Sequence, residues 1–191
     1  MEATKRVVNI YTESSPNPNS LKFVTEFQLV PESIDFPTIQ SADSCPLVKD
    51  LFRFSFVKRV FISSNFITVT KADDIDWFEV NPMIKSLIKG YLEEGKPLFT
   101  SAPKPDSSAP STDEPEIVQR IKVLLDEYIR PSVEQDGGAI NFSSFEDGVV
   151  KVQLQGSCSG CPSSTVTLKA GIENLFKRMI PEVKEVIAEG V

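Results

Sequence analysis

Residues 100–116 read TSAPKPDSSAPSTDEPE, and no other stretch constrains the fold as strongly. Its prolines remove backbone donors, and its Ser, Thr and charged side chains offer almost no apolar surface. Such a segment cannot bury enough to offset the entropy lost on ordering it. The chain is therefore expected to form two small α+β domains, 1–99 and 117–191, joined by a flexible Pro/Ser-rich linker. With 191 residues and 40% hydrophobic content, both halves have material for a core.

In the second half, Ile117, Ile121, Leu124, Leu125 and Tyr128 fall on one helical stripe, which Pro131 is expected to terminate. Gly137 and Gly138 open a strand through Phe145. Asp147-Gly148 is a two-residue hairpin turn, and Val150, Val152 and Leu154 alternate with polar residues on the returning strand. A helix carrying Leu168, Ile172, Leu175, Phe176 and Met179 follows, and a short strand spans Val183 to Ala188. The expected order is αββαβ. The first half suggests hairpins and helices: an extended run from Leu21 to Val30, a helix from Pro46 to Phe54, paired strands Val57–Ile62 and Phe66–Thr70, and a helix capped at Asn81-Pro82.

The net charge of -7 has no basic face to offset it, so no nucleic-acid partner is expected. No apolar run approaches the roughly 18–20 residues of a membrane span, so no membrane partner is expected either. The first residues, MEATKRVVNI, lack the pattern of a secretory signal or transit peptide. The expected compartment is the cytosol.

The chemistry concentrates in QGSCSGCPSS, residues 155–164, where Cys158 and Cys161 sit in the loop between strand and helix. The chain has 3 cysteines and no histidine. A pair so close in sequence cannot staple distant segments, so metal or redox use gains weight over a purely structural role for the pair. Disulfide exchange is one reading, because a helix N-terminus stabilises a thiolate. Too little chain follows Cys161, however, to complete a thioredoxin-like fold. Zinc is a second reading, but Cys-x-x-Cys is only half of a tetrahedral site, and Cys45 lies across the linker. An iron–sulfur cluster is the third. It also takes four thiolates, which two chains supply if their loops meet across a two-fold axis. Gly156 and Gly160 permit close backbone approach, Pro162 stiffens the loop exit, and Ser163 or Ser164 can cap the helix. These same residues also suit an ordinary turn and cap.

The segments LLDEYIRPSVEQDGGAINF and GVVKVQLQGSCSGCPSSTVTLKAGIENLFKRMIPEVKEVIAEG resemble the C-terminal NifU-type domain of the Nfu iron–sulfur proteins. TESSPNPNSLKFV, CPLVKDLF and VKRVFISSNFITVTK, with Trp77 beyond them, resemble the companion Nfu N-terminal domain. The resemblance implies a non-enzymatic carrier or scaffold for a [4Fe-4S] cluster, with [2Fe-2S] the lesser alternative. It implies that the cluster is bridged between the two protomers of a homodimer by Cys158 and Cys161, received from an upstream assembly scaffold and passed to apo-proteins. Gly137-Gly138 matches the family's DGG turn, and Cys45 has no ligand role in this reading. The family's mitochondrial members carry a targeting segment, so a bacterial cytosolic protein, or a processed form in the mitochondrial matrix, is expected. A thiol–disulfide oxidoreductase and a zinc-binding interaction module are the alternatives.

Overall fold

The computed structural model describes residues 7–100, 115–159 and 162–190, with the backbone alone at 162–164. The chain forms two compact units, Met1–Pro105 and Asp106–Val191. Most of the linker expected at 100–116 lies outside the described residues. At its edges, the Thr100 N–H donates to the Ser44 carbonyl at 2.8 Å, and Glu116 opens a helix.

The first unit is built on five antiparallel strands: β1 (Ile10–Ser14), β2 (Ser20–Thr25), β3 (Ile34–Phe36), β4 (Val57–Ser63) and β5 (Phe66–Lys71), in the order β1-β2-β5-β4-β3. The Val57–Ile62 and Phe66–Thr70 runs pair as expected. Ser64, at φ 42°, supplies the left-handed residue of their tight turn. The long extended run ends early, at Thr25 rather than Val30. Beyond it the chain folds back, and the N–H groups of Leu29 and Val30 both donate to the Ser64 carbonyl.

Two helices, α1 (Pro46–Phe52) and α2 (Trp77–Glu93), complete this unit. Leu47, Val48 and Leu51 of α1 and Val80, Ile84 and Ile88 of α2 share one core with Phe23, Val60, Ile62, Ile67 and Val69 of the sheet. The strand register explains the selection, because Phe23 faces Ile67, and Val60 faces Val69. These residues line one face of the pleat. Asn81-Pro82 does not cap α2. Asp76 does, accepting the Phe78 N–H at 2.8 Å, and Pro82 lies inside the helix. A carboxylate N-cap supplies the charge-assisted acceptor that the first turn needs, a stronger start signal than Asn-Pro one turn later.

The second unit runs α3 (Glu116–Leu124), a single wide turn of π type (Leu125–Ile129), α4 (Arg130–Gln135), β6 (Gly138–Glu146), β7 (Val149–Gly156), α5 (Pro162–Met179) and β8 (Glu185–Gly190). Pro131 thus does not end the first helix. It lacks an N–H, and its ring would strike the carbonyl four residues back. The wide turn moves that carbonyl aside, and the helix continues. Tyr128, inside this turn, does not join the buried stripe and is 54% exposed.

β6 and β7 form an antiparallel hairpin through Asp147 (φ 52°) and Gly148 (φ 86°), the positive pair that a primed two-residue turn demands. β8 pairs with β7 in parallel, so β7, α5 and β8 make a crossover unit. Val150, Val152 and Leu154 are fully buried against Ile121, Leu125, Ile172, Phe176 and Val186. Ile180, just past the end of α5, closes the core in place of Met179, which is exposed. Glu173 of α5 ties the crossover together. Its carboxylate accepts from Lys177 Nζ at 2.5 Å and from the Val186 N–H at 3.2 Å, and the Lys177 bond lowers its pKa.

Candidate metal centre

The end of β7 and the start of β6 meet at a pair of glycines, Gly138 opposite Gly156. Gly137 (φ 84°) and Gly156 (φ 67°) occupy the left-handed region that other residues enter only with strain. This explains the Gly137 half of the doublet as the strand-entry turn foreseen from sequence. Gly138 has a different reason. A Cβ there would lie 2.9 Å from Cys158 Sγ and 2.6 Å from the Gln155 carbonyl oxygen. The thiol therefore occupies the space that any side chain at 138 would fill.

Cys158 is 6% exposed, at the rim of the second unit's core. Its backbone is fixed on both sides. The Ser157 N–H donates to the Gly137 carbonyl at 3.3 Å, and Ser157 Oγ donates to the Asp136 carbonyl at 2.5 Å. The Ser159 N–H donates to the Gly156 carbonyl at 3.2 Å, and Thr165 Oγ1, in the first turns of α5, donates to the Cys158 carbonyl at 3.4 Å. Ser157 Oγ lies 3.9 Å from Cys158 Sγ. Hydrogen bonds to the turn before β6, to its own turn and to α5 thus hold the thiol at the strand-to-helix junction. A ligand fixed in this way loses little freedom when it binds a metal.

Cys161, the other sequence-predicted ligand, lies outside the described residues, as does Gly160, and nothing here places the Ser163 and Ser164 side chains. Cys45 is placed in the first unit, fully buried in that unit's core at the N-cap of α1. Burial pushes its thiol up to about 11, outweighing the Val48 and Leu47 N–H groups that favour the thiolate. A thiol kept protonated by the core makes a poor metal ligand. Among the described residues, no group of three or more His, Cys, Asp or Glu side chains could hold a metal ion. Cys158 fits a thiolate-bound group as one ligand of a larger set. The zinc and disulfide readings both need the same second thiol.

Gly138, Ser157 and Asp136 escaped the sequence reading as partners of the cysteine. The Gly137-Gly138 doublet was the available signal, since two adjacent glycines exceed what one turn requires.

Residues 10–95 match the model of the "Scaffold protein Nfu/NifU N terminal" family, and residues 121–187 match that of the "NifU-like domain". The human "NFU1 iron-sulfur cluster scaffold homolog, mitochondrial" is 45% identical to this chain, over 95% of it and 72% of the relative. The chain belongs to the Nfu/NifU-like family. Two Arabidopsis thaliana relatives of this Nfu-family chain are "NifU-like protein 4, mitochondrial" and "NifU-like protein 5, mitochondrial". They are 44% and 45% identical over 97% of the chain, covering 67% and 69% of their own lengths. Cys158 and the Gly138 cradle fall inside the NifU-like match, and Cys45 inside the N-terminal one. The two mixed helix–strand units are the α+β architecture expected from sequence.

Proposed function

We propose that this chain is an iron–sulfur cluster scaffold or carrier that holds a [4Fe-4S] cluster as cargo between two protomers, through Cys158 and Cys161 of each. The observation that carries the reading is the Cys158 thiol, fixed against Gly138 at the entry to α5, with Cys161 three residues further along the sequence. The relatives named as iron–sulfur cluster scaffolds support it.

The ligand arithmetic favours a dimer. A cubane cluster takes four thiolates. One chain offers two in its loop, and its third cysteine is a core thiol of the other unit, pushed up to about 11. A second copy of the loop makes up the deficit in a two-fold arrangement. Cargo held by two bonds per protomer is easily surrendered. In transfer, an acceptor thiolate forms a bond to an iron, the bond from Cys158 or Cys161 to that iron breaks, and the released thiolate takes a proton from water. Repetition moves the cluster from protein to protein. No step makes or breaks a covalent bond of a small-molecule substrate, so the role is not enzymatic. The relatives' printed names favour a mitochondrial compartment over the cytosol. The partners are an upstream scaffold and apo iron–sulfur proteins.

Anaerobic reconstitution with iron and sulfide tests this reading. Visible absorption and Mössbauer spectra should show a [4Fe-4S] cluster at one per dimer, and gel filtration should show the dimer only in the loaded state. Cys158→Ala and Cys161→Ala should each abolish the chromophore. A colourless monomer would overturn the proposal. Stoichiometric zinc in its place would indicate the interaction module, and turnover of a dithiol substrate the oxidoreductase.

A further inference from the structure

The N-terminal unit has no part in cluster ligation, yet its α2 carries an apolar surface that packing does not explain. The core-facing stripe of α2 is Val80, Ile84, Ile88, Tyr91 and Leu92. At 100° per residue, Phe78 projects about 110° away from the centre of that stripe, and it is 90% exposed. Pro82, one turn on, is exposed beside it, and Met83 is 45% exposed. Pro82 also brings no N–H to the Phe78 carbonyl, so this turn of the helix keeps an acceptor without its usual donor.

The surroundings of this aromatic are acidic. Asp73, Asp74, Asp76 and Glu79 are all exposed. Asp73 accepts from Asn19 Nδ2, and Asp76 caps the Phe78 N–H. None of the four forms an ion pair among the described residues. The nearest cation in sequence, Lys71, is buried, with its ammonium 5.6 Å from the centre of the Trp77 ring, where it cannot neutralise the surface. Lys85 stands two turns away, about 10 Å along the axis.

We propose that the N-terminal end of α2, centred on Phe78, is a docking surface for a basic protein that offers an apolar pocket to the ring. An exposed aromatic anchor ringed by unpaired carboxylates has both parts of a specific interface, a hot spot and a steering field. Charge selects the occupant. A second copy brings the same four carboxylates and a net charge of -7. Anionic lipid surfaces and nucleic acids are likewise repelled. No thiol takes part, so this surface and the cluster site stand or fall separately.

The test uses the full chain with p-benzoylphenylalanine in place of Phe78, irradiated in an extract of the cells that make the protein. Each cross-linked protein is then identified and purified, and its Kd for the unmodified chain is measured by calorimetry. The expected adduct is a basic protein whose affinity falls at least about tenfold with Phe78→Ser. Its affinity should also fall with Asp74→Asn/Glu79→Gln and with rising salt. Phe78→Ser should leave the thermal midpoint and cluster reconstitution unchanged, which separates lost docking from lost folding. Adducts only to a second copy, to lipid or to acidic proteins would overturn the proposal. So would the absence of any adduct, or an affinity indifferent to Phe78→Ser.

Discussion

Cys45 and Cys158 are both buried, but in different surroundings. Cys45 is enclosed by the apolar side chains of its unit's core, whereas Cys158 has backbone, glycine and a serine hydroxyl around it at the edge of a core. The Cys45 thiol has a measurable consequence. Its folded pKa, about 11, lies above the ordinary 9.0, so between these values the unfolded chain loses a proton that the folded chain keeps. Its contribution is complete below pH 9 and is lost as pH rises through 11, by about 3 kcal/mol in all. Urea denaturation across this range should show the decline in wild type and a shallower one in Cys45→Ala; parallel profiles would refute it. At this scale the sequence marks Cys158 and Cys161 as the pair to test, because spacing and loop chemistry are local. It did not reveal that Gly138 makes room for Cys158, because that contact joins residues twenty positions apart through strand pairing.

Among the elements, those with strong local chemistry were legible. Asp147-Gly148 announces its hairpin, and the alternation from Val150 to Leu154 announces the buried face of β7. The edge strands of the first unit were not: β1 has only Ile10 buried, and β3 has three residues. Such strands exist because a neighbour offers hydrogen bonds, which no residue pattern within them records. Pro131 and Pro82 were misread for a common reason. Each reads in sequence as a boundary, yet the first is accommodated by the wide turn and the second sits in a helix already started by Asp76. That cap predicts a specific loss. Asp76→Ala should destabilise the N-terminal unit by about 1 kcal/mol, measured as a lower urea midpoint in tryptophan emission, and Asp76→Asn should recover most of it. An unchanged midpoint in Asp76→Ala would show that the Phe78 N–H bond is not stabilising.

For the molecule as a whole, the chain divides into two compact units, Met1–Pro105 and Asp106–Val191, and the mixed helix–strand make-up of both was legible from apolar periodicity and turn residues. The two cores have no residue in common: one draws on positions 8–99 and the other on 117–188. The chain's 1 tryptophan, Trp77, belongs to the first. Its emission should therefore follow the N-terminal unit alone. Cys158→Ala, which removes a buried group from the second core, should lower the far-UV circular dichroism midpoint of that unit and leave the emission midpoint in place. Coincident shifts in both signals would mean that the units unfold together.

The Gly138 cradle also bears on inheritance. Every single-base change that replaces a glycine codon with another amino acid introduces a Cβ, and at this position the smallest one already meets the sulfur and the Gln155 carbonyl inside contact distance. Position 138 therefore has no conservative missense neighbour in the genetic code. Variants there should behave as damaging alleles whichever residue they introduce, and purifying selection should act on this codon as severely as on the cysteine codon it serves.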